Sequence, residues 1–212
     1  MDRKEEIILA ALELASENGL KSVSMSQIAE KVNIKAPSLY NHFKSKDEIV
    51  KEMYGFLREK AKQIRSPSFV NSEDFQAKTL EQILSESVAA YVMMITDQNM
   101  MLFFRVLYSE RSINPIAAQI MLEETEHMIQ ATKSLFYGLV VHGKMKNDDV
   151  DTAAITFALT VHSLIDYRMD VITAGNNDRF DDGESVLTKE MTDFIRWFSQ
   201  QTGGECHEKK TH

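Results

Sequence analysis

Between Lys35 and Lys46 the chain reads KAPSLYNHFKSK. Ser38, Tyr40, Asn41 and His42 carry hydrogen-bonding groups, and Lys35, Lys44 and Lys46 carry positive charge. No acidic residue lies between Glu30 and Asp47. Donors and cations at this density suit a partner rich in acceptors and negative charge. Leu39 and Phe43, four residues apart, supply an apolar face on the same stretch. A short helix with such a polar outer face, held on a tight turn, is what reading a DNA major groove requires.

The surrounding residues are suited to hold that helix. Ser24 followed by Gln27 has capping-box spacing and starts a helix. Ile28, Ala29 and Val32 share one face of it. Asn33 tolerates a left-handed turn conformation, and Ile34 plugs the corner that follows. Pro37 fits only the first turn of a helix, so a second helix starts near Ala36. Ser45 and Glu48 repeat the capping-box spacing and start the next helix, which runs to about Ile64. Upstream, Lys4–Asn18 forms a first helix with Ile8, Leu12 and Ala15 inward, stopped at Gly19.

From Arg3 to Tyr54 the chain resembles the TetR family of bacterial transcriptional repressors. The resemblance rests on Ile28-Ala29, Leu39-Tyr40, His42-Phe43 and Ser45-Lys46. Two positions depart from it: Asn33 stands where the family usually has Gly, and Lys35 where it often has a capping Ser or Thr. The resemblance implies an all-α fold, with an N-terminal three-helix helix-turn-helix domain and a larger C-terminal helical domain for ligand binding and dimerisation. It implies phosphate contacts from Tyr40 and His42. Lys46 sits at a helix N-terminus, where N–H groups, dipole and side-chain charge jointly hold a phosphate. Base reading falls to Lys35, Ala36, Ser38 and Asn41: Lys donates to guanine, Asn pairs with adenine and the Ala methyl meets a thymine methyl.

The net charge of −8 is unevenly divided. Residues 1–65 hold 12 Lys and Arg against 10 Asp and Glu, a balance of +2, and the remainder 12 against 22, a balance of −10. Local charge at the contact surface outweighs the total, and the acidic remainder discourages DNA from lying elsewhere. One cysteine, Cys206, excludes an internal disulfide and fits a reducing, cytoplasmic compartment. The N-terminus lacks a secretory signal, and no apolar run reaches the roughly 20 residues that span a membrane.

Beyond the break at Arg65-Ser66-Pro67-Ser68, the sequence reads as helix almost throughout. Helices are expected near 72–96, 98–108, 114–139, 148–173 and 184–200, with a loop at 175–183. The domains expected are 1–48 for DNA, 49–65 as a linking helix, 66–202 for ligand and dimer, and 203–212 as a disordered tail. The resemblance implies a dimer through the last two long helices. Ile155, Leu159, His162, Leu187, Phe194 and Phe198 would form that interface, the alternative being an intramolecular core. A Met- and aromatic-rich run, with Met93, Met94, Met101, Phe104, Met121 and Met128, fits an apolar or aromatic effector, with His162 able to orient it. Those side chains would otherwise fill the core.

No enzyme is expected. Glu124 and His127 have the E-x-x-H spacing of a metal helix, but no second such pair occurs, and Glu123, Glu124 and Glu126 read as a solvated face. Cys206, His207 and His212 lack the fixed geometry of a zinc site. There is no G-x-S-x-G, P-loop or G-x-G-x-x-G, so neither metal nor cofactor is expected. The expected function is a dimeric repressor of a palindromic operator, released by a small-molecule effector. The alternative is a helix-turn-helix regulator controlled by a protein partner, without a small-molecule pocket.

Overall fold

The computed structural model describes residues 2–64, 75, 77–146, 148–175 and 186–204. Helix is the regular structure among them, and the extended pairing is a single antiparallel bridge between Met145 and Gly203. No described helix is long and apolar enough to cross a membrane. The chain divides into two compact units: Met1–Ser66 with Met94–Glu124, and Pro67–Met93 with Thr125–His212.

The first unit begins with α1, Arg3–Asn18, which buries Ile7, Ile8, Ala11, Leu12 and Ala15 at helical spacing. Gly19 ends it at φ 77, a conformation costly for a residue with a Cβ, and its N–H returns to the Ala15 carbonyl. A 3₁₀ turn, Leu20–Ser22, leads into α2, Met25–Lys31; α3 is Ala36–Tyr40 and α4 is Lys46–Ile64. Leu12, Ile28, Leu39, Phe43 and Ile49 meet in one core.

That core is completed from far along the chain. Helix α6, Gln98–Glu110, is capped by Asp97, whose carboxylate accepts the N–H groups of Asn99 and Met100. Its buried stripe Met100, Phe103, Val106 and Leu107 joins the cluster of α1 and α4, with the Phe103 ring 6.1 Å from that of Tyr54. Residues 94–124 therefore group with the N-terminal helices, not with one continuous domain from residue 66 as expected. The reason is packing: α1 and α4 each leave an apolar face that a three-helix domain alone would not cover.

Helix α7, Pro115–Val141, starts under Asn114, whose side chain accepts the Ile116 N–H at 3.0 Å. Its residues to Glu124 belong to the first unit. The acidic face expected there is corrected at one position. Glu124 is 1% exposed and accepts the Tyr54 hydroxyl at 2.9 Å. A buried carboxylate without such a donor would be costly, so the phenol of α4 makes the burial tolerable.

In the second unit, α5 spans Leu80–Ile95 down to Met93. It opens at a capping pair, with Gln82 N–H on the Thr79 hydroxyl and Thr79 N–H on the Gln82 side chain. The start expected near residue 72 falls among residues outside those described. Helix α8, Val150–Thr173, is capped by Asp149, and α9, Lys189–Thr202, by Thr188, which accepts the Met191 N–H. Phe136, Phe157, Phe194 and Phe198 form the centre, with contacting ring centroids between 4.9 and 5.9 Å apart. The last helix was expected from Glu184; because Thr188 caps it, Leu187 lies before it. Gly203 and Gly204 are likewise not part of a loose tail: the Lys146 N–H meets the Thr202 carbonyl and the Gly204 N–H meets that of Lys144. Cys206, His207 and His212 lie outside the described residues.

Phe103→Ala is expected to destabilise the first unit by about 3–5 kcal/mol, since it empties a fully buried ring site. Hydrogen exchange should show α1 and α4 losing protection together; unchanged protection of α1 would refute the grouping of α6 with the N-terminal helices.

Candidate functional site

The residues of Ser24–Lys46 are positioned by local signals that act as their types require. At the start of α2, the Ser24 hydroxyl accepts the Gln27 N–H at 3.3 Å, and Gln27 accepts the Ser24 N–H at 2.8 Å. Asn33 adopts φ 54, the left-handed conformation expected of it, and Ile34 N–H closes the turn on the Ala29 carbonyl at 2.9 Å. Lys35 stands at the N-cap of α3 without a side-chain cap, and Pro37 occupies the first turn. Helix α3 ends after Tyr40, and the His42 and Phe43 N–H groups return to the Leu39 carbonyl. Ser45 accepts the Glu48 N–H at 3.1 Å, while the Glu48 carboxylate reaches one residue beyond the N-cap, to the Lys44 N–H.

This leaves α3 two-sided. Leu39 and Phe43 are almost wholly buried, with the Lys4 ammonium 5.4 Å from the Phe43 ring centroid. Lys35, Ser38, Tyr40, Asn41 and Lys44 are exposed, and Ala36 and His42 are half-buried beside them. Tyr40 is 53% exposed, which a phenol packed on the first helix would not be. Six of the seven residues expected at DNA thus lie along one short stretch with open or partly open side chains.

Lys46 differs. Its ammonium donates to the carbonyls of Leu20 at 2.6 Å, Val23 at 3.0 Å and Lys21 at 3.4 Å. An ammonium has three donors, so the side chain expected on a phosphate is turned onto protein carbonyls. The three carbonyls come from the first two residues of the 3₁₀ turn and from Val23 just after it, and their oxygens converge on one cation.

The residues expected at an effector are divided between the two units. Met94, Met101, Phe104 and Met121 lie in the first unit; Met93, Met128 and His162 lie in the second. Met121 and Phe104 pack into the core of α1, α4 and α6. His162 lies 3.8 Å from the Asp166 carboxylate. An open depression of about 270 Å³ is lined by Thr79, Glu81, Gln82, Ser85 and Glu86, none of which was expected at an effector. No group of three metal-ligating side chains occurs among the described residues.

Of the residues expected at a dimer interface, Ile155 and Leu159 lie exposed on α8, Leu159 at 41%. Phe198 is 4% exposed within the aromatic centre, so it belongs to the unit's own core. Phe194 is half-buried in the same cluster. The exposed aromatic of α9 is Trp197, at 56%, with its ring 6.2 Å from that of Phe194. Tyr167 and Ile172 on α8 are exposed apolar residues as well, at 44% and 37%, and none of these three was among the residues expected at an interface.

Residues 7–53 match the profile of the bacterial regulatory proteins of the tetR family. Residues 82–193 match that of the AefR-like transcriptional repressor C-terminal domain, more than half of the chain. The HTH-type transcriptional repressor KstR2 of Mycolicibacterium smegmatis is 37% identical over 51 residues, 24% of this chain. The matched stretch spans only 25% of that repressor's length. Among solved structures, GusR of Salmonella enterica is 20% identical with a TM-score of 0.66, covering 93% of each chain. A putative regulator from Saccharomonospora viridis in complex with choline is 16% identical with a TM-score of 0.61, covering 95% of this chain and 97% of its own. These two likenesses show the fold.

Asn33→Ala should cost about 1–2 kcal/mol, because alanine disfavours the left-handed conformation, while Asn33→Gly should be neutral or stabilising. Chemical denaturation of the two variants checks this; equal losses in both would mean the Asn33 side chain, not its backbone, carries the turn.

Proposed function

Since the chain belongs to the TetR family, whose members are DNA-binding transcription regulators and not enzymes, we propose that it is a dimeric repressor of a palindromic operator. One observation carries the reading. The open face of α3 presents Lys35, Ser38, Tyr40 and Asn41 together, while Leu39 and Phe43 anchor the opposite side. Tyr40 and His42 contact phosphates and fix the register; Lys35, Ala36, Ser38 and Asn41 read base edges. Repression is supported by the KstR2 likeness and by the repressor profile over residues 82–193.

One helix of five residues reads too few bases, so a second copy is required. Two readers about one DNA turn apart match a palindrome. The exposed apolar residues of α8 and α9, namely Ile155, Leu159, Tyr167, Ile172 and Trp197, support a two-fold interface there.

Release follows from a two-state equilibrium. An apolar or aromatic effector favours a spacing of the two readers that no longer fits successive major grooves, with α4 transmitting the shift. The coupling is worth about 1–3 kcal/mol. The likeness to a regulator crystallised with choline supports a small-molecule effector. The packing of Met121 and Phe104 into the first unit's core favours the second reading, control by a protein partner, in which these side chains only pack.

Selection from random duplex DNA by the full chain should enrich a palindrome with half-sites about one helical turn apart. Tyr40→Phe should weaken binding to all sequences alike, and Asn41→Ala should relax choice at one base pair of each half-site, by about 1–3 kcal/mol per contact. Absence of enrichment at low salt would sink the DNA-reading proposal. Leu159→Glu should convert a dimer to a folded monomer in sedimentation velocity; an unchanged dimer would move the interface elsewhere.

A further inference from the structure

We propose that Lys46 is a positioning residue, which holds the reader by closing the ends of the helix-turn-helix on each other and does not contact DNA. The proposal rests on the DNA-reading function above. Val23 immediately precedes the cap of α2, and Lys46 is the first residue of α4. Everything between them is α2, the turn, α3 and its exit. The bond from the Lys46 ammonium to the Val23 carbonyl, at 3.0 Å, therefore joins the two ends of the whole reading element. The bond to the Leu20 carbonyl, at 2.6 Å, ties the same ammonium to the start of the 3₁₀ turn.

The geometry suits an ammonium and no other head group. Three carbonyls converge on one nitrogen within 3.4 Å, and the three Nζ protons match them in number. Two of the bonds are partly shielded from water, which strengthens charge-assisted contacts. To reach a phosphate, the side chain would have to leave all three carbonyls. The exposed cations of the stretch, Lys35 and Lys44, have no such engagement among the described residues and are open to the DNA.

The test uses the full chain with Lys46→Met and Lys46→Arg, and a duplex that the unsubstituted chain enriches from a random pool. Affinity is measured at several salt concentrations. A positioning role predicts that Lys46→Met weakens binding roughly tenfold or more, because register and orientation are lost, with no change in salt dependence. Lys46→Arg should restore little, since a planar fork cannot aim three donors into one cone. A log–log salt slope shallower by about 0.9 for each lost phosphate contact, about 1.8 for a two-fold dimer, would overturn the proposal. So would full rescue by arginine.

Hydrogen exchange of the unbound protein gives a readout that needs no DNA. Well below the unfolding midpoint, Lys46→Met should speed exchange in residues 20–24 and 36–43; unchanged exchange there also overturns the proposal. If the unsubstituted chain enriches no duplex, the DNA-reading function fails, and the exchange result still decides the positioning role. Lys46→Gln carries the same measurements if the methionine variant does not fold.

Discussion

The rest of the structure depends on the burial of Leu39 and Phe43. Helix α3 has five residues, and isolated helices shorter than about 12–15 are marginal in water. Its N-cap, Lys35, contributes no side-chain bond. Conformation must therefore be imposed from outside, and these two side chains are where the surrounding core holds it. They are almost fully enclosed beside Ile28, Leu12 and Ile49. Once their positions are fixed, Ser38, Tyr40 and Asn41 have no choice but to face outward. Rigidity in the reader is thus borrowed from α1, α2 and α4, and those in turn from α6.

Charge is organised on the same plan. A chain of net charge −8 is repelled by DNA as a whole, so attraction has to be concentrated. The stretch from Lys31 to Lys46 contains no acid. Just beyond it, Asp47 and Glu48 lie in the first turn of α4, where they favour the helix dipole, and Glu48 is occupied by the Lys44 N–H. These two acids thereby serve a helix N-terminus. Such an arrangement favours specific over indiscriminate binding, at the cost of steep sensitivity to salt.

The parts legible in the sequence were those set by neighbours along the chain. Ser24 with Gln27, the left-handed Asn33 and the early Pro37 are short-range signals, and the structure follows each. Contacts across long sequence separations were not legible. Glu124 sits among acids on a helix and looks solvated until Tyr54, 70 residues earlier, is brought against it. Lys46 has the sequence context of a phosphate contact, and only the folded turn at Leu20–Val23 reveals its carbonyl partners. Phe198 and Trp197 are adjacent aromatics whose opposite fates depend on the direction in which α9 lies on Phe157 and Phe136. Thr188 began a helix without the acidic or amide partner that would have marked it.

The grouping of residues 94–124 with the N-terminal helices bears on how such regulators can be recombined. A DNA-reading head cut after residue 66 would lose Phe103 and Leu107 and leave the faces of α1 and α4 uncovered. Grafting the first 66 residues onto another C-terminal domain would then require the recipient to supply a matching helix in place of α6. The N-terminal head of this chain is therefore exchangeable only as far as that borrowed helix is compatible. A functional chimera needs either three cuts that carry residues 94–124 along, or a recipient whose own helix already fits the same groove.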